Sequence, residues 1–136
     1  TSNTDGTFTA EIYLDEIEES DDLTAFSLVV NYPSSSLTVS NVQVFDSEGS
    51  FLNPDGSNTL IYVEPEVSAS FITIDAGIAG NTSPLSGGGK VCEITFSPTS
   101  SFSGGASISI SSNSQLRTSV GNNIDILEFH GATVQN

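Results

Sequence analysis

The chain has 136 residues with 17 acidic side chains against only Lys90 and Arg117, a net charge of -15. Residues 1–136 are expected to form a single domain, long enough to bury roughly two-thirds of the surface of its unfolded form without metal or disulfide. Nucleic acid is excluded as a partner, because phosphate binding rests on clustered Lys and Arg, and no apolar run approaches the ~20 residues that membrane insertion by a helix requires.

The first strand is expected over Phe8 to Asp15, where Phe8, Ala10, Ile12 and Leu14 alternate with Thr9, Glu11, Tyr13 and Asp15. An acidic connection, Glu16 to Asp22, delivers the chain to its cleanest alternating run, Leu23 to Pro33. Phe26, Leu28, Val30 and Tyr32 form the inward set there, which leaves Ala25, Ser27, Val29 and Asn31 as a small, uncharged outer row. Pro33 cannot donate a ladder hydrogen bond, so the strand stops and Ser34 to Ser36 turn. Leu37 to Phe45 changes phase at Ser40-Asn41, the pattern of a β-bulge.

Turn residues fill Asp46 to Asn58, and two further strands, Thr59 to Val63 and Ser70 to Ala76, are joined around Pro65. Gly77 to Gly89 reads as a long, flexible, solvent-facing loop before a strand over Val91 to Phe96. Ala106 to Ser112 alternates Ile108 and Ile110 with serines, and Ile124 to Val134 closes the chain with a slip at Gly131. Eight strands, turn signals between them and no helical period give an all-β fold, an antiparallel β-sandwich of jelly-roll topology with eight or nine strands.

Little in the sequence points to catalysis, and the chain is read as not an enzyme. His130 is the one histidine and lies beside Phe129 without a G-x-S-x-G motif. Cys92 shares a phase with Ile94 and Phe96, the position of a small buried hydrophobe, and being alone it can form no internal disulfide. Lys90 is placed on that same inward phase, where a cross-link to an asparagine, as in adhesin sandwiches, is an alternative. No cofactor is expected; a structural calcium ion held by Asp15, Glu16, Asp21 or Asp22 is the one addition the oxygen-rich loop allows, although no D-x-[DN]-x-[DN]-G run is present. The sequon Asn81-Thr82-Ser83 matters only where a host glycosylates it.

The order of these segments resembles the cohesin family, the extracellular modules that receive dockerins in cellulosomes. Leu23-Thr24-Ala25-Phe26-Ser27-Leu28-Val29-Val30-Asn31-Tyr32-Pro33 is similar to the family's "aGf-x-h-x-L-x-YDP" segment, without the aspartate before Pro33. Leu37-Thr38-Val39 resembles "vLev", Lys90-Val91-Cys92-Glu93-Ile94-Thr95-Phe96 resembles "G-x-l-a-x-I-x-F", and Gly131-Ala132-Thr133-Val134 resembles the closing "dG-x-V-x-V". The resemblance implies a non-catalytic, extracellular, secreted or cell-surface module, monomeric when isolated, that docks a dockerin-bearing protein through one sheet face as a scaffold or anchoring domain. By the same resemblance the contact residues are Ala25, Ser27, Val29, Asn31, Tyr62, Phe71, Thr73, Asp75, Ala76, Ser107 and Ser109. The other readings are a carbohydrate-binding module, which the absence of Trp and of an aromatic row disfavours, and a structural or adhesin spacer.

Overall fold

The computed structural model describes residues 2–79, 85–126 and 128–135, the side chain of Tyr62 excepted. The sequon at Asn81 and residue Leu127 of the expected closing strand fall outside them. The strands are β1 (Phe8–Ile17), β2 (Leu23–Asn31), β3 (Leu37–Val44), β4 (Thr59–Tyr62), β5 (Glu66–Val67), β6 (Phe71–Ala79), β7 (Gly87–Pro98), β8 (Gly105–Ile110), β9 (Gln115–Thr118), β10 (Asn123–Ile124) and β11 (Ala132–Gln135). All pairings are antiparallel. One sheet runs β1-β7-β3; the other runs β10-β9-β2-β6-β4, with β5 on β6 and β8 linking β2 to β11.

The core is what the alternation dictates. Phe26, Leu28, Val30 and Tyr32 are buried from the larger sheet with Ile72 and Ile74, against Val91, Cys92, Ile94 and Phe96 of β7. The Tyr32 ring stands 5.6 Å from that of Phe96, while its hydroxyl donates to the Ser68 carbonyl at 2.8 Å, so the one polar atom on this inward row is satisfied. Full burial of an aliphatic side chain of this kind contributes roughly 1.5–3 kcal/mol.

The bulge expected in β3 is present, the register with β7 shifting between Val39 and Asn41. A second bulge was not legible. Ile12 pairs with Cys92 but Tyr13 pairs with Lys90, so Val91 is skipped, and both Val91 and Cys92 are buried. This turns Lys90 to the outer face, correcting its inward placement. Its Nζ bonds Glu93 Oε1 at 2.6 Å, lies 4.0 Å from Glu11 and sits 4.4 Å from the Phe45 ring centre, an arrangement that offers no asparagine for a cross-link.

The loop expected over Gly77 to Gly89 is shorter than the glycines suggest, since β6 continues to Ala79 and β7 already begins at Gly87. Glycine at 88 reflects close packing: a Cβ there would come 2.6 Å from Asp15 Oδ1 and 2.8 Å from the Leu14 carbonyl. The single closing strand is also corrected. It divides into β10 and β11, and Gly131 lies in the stretch before β11, where a Cβ would meet the Ile108 carbonyl at 2.6 Å. The acidic connection contains a 3-10 turn, Glu19–Asp21, closed by a capping box between Glu18 and Asp21, with Asp22 left-handed at φ 53.

Candidate functional site

The outer face of the larger sheet is set by the β2–β6 register. Ser27 lies opposite Asp75, Val29 opposite Thr73 and Asn31 opposite Phe71, while Ala25 lies opposite Gly77. Ala25, Ser27, Val29, Thr73 and Asp75 are half-buried among their neighbours, and Asn31 and Phe71 are exposed. On the far side of β2 the row continues into β8 through Asn31 and Ser109, with Ser107 further along; both serines are exposed. Nine of the expected contact residues therefore share one face.

The other two do not join them. Ala76 is buried, 7% exposed, because it follows Ile72 and Ile74 at the strand period of two. Tyr62 pairs in register with Ala76. The outward residues of β4 are Thr59 and Ile61, the latter opposite Gly77 and 63% exposed; Val63, 66% exposed, follows the strand and its N–H donates to the Asp75 carbonyl. The run Leu60 to Val63 is apolar on both phases, so its letters do not single out Ile61 and Val63.

Strand β9 was missed altogether. Its four residues hold one inward apolar side chain, Leu116, too little for a period, yet they bring Gln115 opposite Ser27 and Arg117 opposite Ala25. Between β8 and β9 the ladder to β2 is carried by Ser114, whose buried hydroxyl accepts from the Val29 N–H at 2.9 Å. The face thus carries two separate apolar groups, Val29 diagonal to Phe71, and Ile61 with Val63 at the rows of Gly77 and Asp75, with Glu66 on β5 beside Thr73. Arg117 stands at the opposite side.

Other places offer less chemistry. Burial pushes the Cys92 thiol up to about 12, which keeps it protonated and unreactive at neutral pH. The exposed His130 ring is 2.8 Å from Glu128, and among the described residues no serine hydroxyl is bonded to it. Among the described residues no three His, Cys, Asp or Glu side chains converge as metal ligands, and Asp22 instead accepts from the Ser119 N–H at 3.1 Å. An open groove of about 870 Å³ lies where Phe45, Phe51 and Lys90 meet, with the Lys90 amine already taken by Glu93.

Several solved structures are similar to this one, three of them as follows. The third cohesin of ScaC from Acetivibrio cellulolyticus, solved in complex with the ScaB dockerin, has a TM-score of 0.72 at 14% identity, covering 95% of this chain and 87% of its own. A cohesin module from a family 33 glycoside hydrolase of Clostridium perfringens has a TM-score of 0.67 at 15% identity, covering 95% and 84%. A non-cellulosomal cohesin from the hyperthermophilic archaeon Archaeoglobus fulgidus has a TM-score of 0.60 at 13% identity, covering 88% and 73%. No family model matches the sequence, and no curated protein does. The chain has the cohesin fold.

Proposed function

From the cohesin fold, we propose that this chain is a non-catalytic protein-binding module that docks a dockerin-bearing protein through the outer face of β9, β2, β6 and β4. The module acts outside the cell, as part of a scaffold or a cell-surface anchor. One observation carries the reading: in a chain of net charge -15, the row Ala25, Ser27, Val29, Asn31 is free of charge and stands beside exposed Phe71, with exposed Ile61 and Val63 across β6 from it. Exposed apolar side chains gathered on one otherwise small and polar face mark an interaction surface, and a sheet presents them already ordered. Docking of this kind needs no covalent step and no group with a catalytic role.

The test is calorimetric titration against a panel of calcium-loaded dockerin modules, including those encoded in the same genome. A complex that forms one to one supports the reading, and the absence of heat and of complex with every member sinks it.

A further inference from the structure

Of the chain's two cations, Lys90 is committed to Glu93 and Glu11 on the outer face of the smaller sheet. Arg117 is exposed on the docking face, where its guanidinium donates to the side chain of Gln115, and among the described residues it makes no ion pair with any carboxylate. With 17 acids in the chain, leaving this arginine without one is unexpected on numbers alone. The acids around it are held elsewhere or offset: Asp22 is bonded to Ser119, Asp125 lies on the diagonal, two residues past the Asn123 that faces Arg117, and Asp75 is two strands across and two residues along, its Cα roughly 12 Å away at ordinary strand spacings.

Between Arg117 and Ile61 the sheet carries only Ala25 and Gly77, a shallow trough with the arginine fork as one wall and an apolar side chain as the other. We infer, building on the docking function proposed above, that Arg117 is a specificity-determining contact that receives a carboxylate of the partner, while Asp75 and Glu66 at the other side face its basic residues. The partner surface is thus bipolar, and its two poles fix the direction in which it lies across β2. A planar guanidinium takes a carboxylate through two parallel hydrogen bonds, so the contact selects geometry as well as charge. Gln115 pre-orients the fork.

The experiment displays dockerin modules on yeast, drawn from the genome that encodes this chain and from the organisms of the matched structures. The full chain, its Val29→Asp variant, Arg117→Gln and Arg117→Lys are then titrated. Loss of binding with Val29→Asp locates the complex on this face. Arg117→Gln is expected to weaken the same complex about tenfold or more and to flatten its salt dependence, Arg117→Lys to recover only part. Arg117→Glu paired with acid→Arg in the dockerin is expected to restore binding. Affinity that falls with Val29→Asp and is unchanged in Arg117→Gln leaves the docking face standing and overturns the role of Arg117. Binding that survives both changes, or no binding to the unaltered chain, overturns both.

Discussion

Val29→Asp separates the two tasks of β2. In the free chain Val29 is half-buried on the outer face, its N–H held by Ser114, so the substitution leaves the inward set Phe26, Leu28, Val30 untouched. The cost to the fold has two parts: up to ~1 kcal/mol for placing Asp in a strand, and ~0.5 kcal/mol for a second carboxylate at 7–8 Å on the diagonal from Asp75. For a chain between the small and large size classes, that total lowers the melting temperature by roughly 3–7 °C. In a docked complex the same carboxylate is desolvated without a partner, which costs at least ~3 kcal/mol once the lost apolar contact is included, a loss of more than ~100-fold in affinity. Circular dichroism melting and calorimetry on one preparation read both numbers. Asn41→Asp, exposed on β3 of the other sheet, adds the same charge and is expected to change neither. A folded Val29→Asp protein that binds within threefold of the unaltered chain refutes the assignment of the face.

Gly88→Ala forces a Cβ against the Leu14 carbonyl and the Asp15 carboxylate, and is expected to destabilise by about 1–3 kcal/mol in urea titration; an unchanged midpoint would mean that the glycine run is open loop after all. Stability should fall on the alkaline side. Burial raises the Cys92 thiol from its ordinary 9.0 to about 12, the hydrogen bond to Glu93 raises Lys90 above 10.5, and the hydrogen bond to Glu11 raises Tyr13 above 10.0. Each folded group holds its proton more tightly than the unfolded chain does, so its contribution is complete below the ordinary value and is lost as pH rises through the folded one. Urea midpoints flat from pH 7 to pH 11 would contradict this. Intact mass should equal the sequence mass, because Lys90 is spent on glutamates; a deficit of one ammonia would reinstate the cross-linked adhesin reading.

What could be read from the sequence follows strand length. In β2 and β6 the period of two repeats enough times to fix which side chains enter the core, and the bulge in β3 announced itself because apolar residues stand on both sides of the slip. The bulge at Val91 gave no such signal: Val91 and Cys92 are both apolar and both buried, so either phase fits the letters and only the pairing with β1 decides where Lys90 points. In β4 the letters Leu60, Ile61, Tyr62 and Val63 are apolar on both phases, and the outward member is chosen by the sheet edge rather than by composition. Strand β9 lacked a pattern entirely, though its surroundings held a clue, since the stretch from Gly104 to Asn123 contains no acid and one of the two cations.

The placement of charge bears on the exposed apolar residues as well as on the partner. Ile61 lies on the edge strand of the larger sheet and Val63 just past it, and an uncharged edge with free N–H and C=O groups is a template for pairing with another copy. Glu64 and Glu66 follow immediately, with Pro65 between them, so a second copy approaching this edge brings carboxylates against carboxylates and meets a residue that cannot donate. The remaining acids, concentrated between Glu11 and Asp22, add a repulsion of one sign at longer range. A basic partner suffers neither penalty. The charge that would hold two copies apart is therefore the same charge that would draw the basic residues of the proposed partner towards the face, leaving Val29, Phe71 and Ile61 for apolar contacts with it.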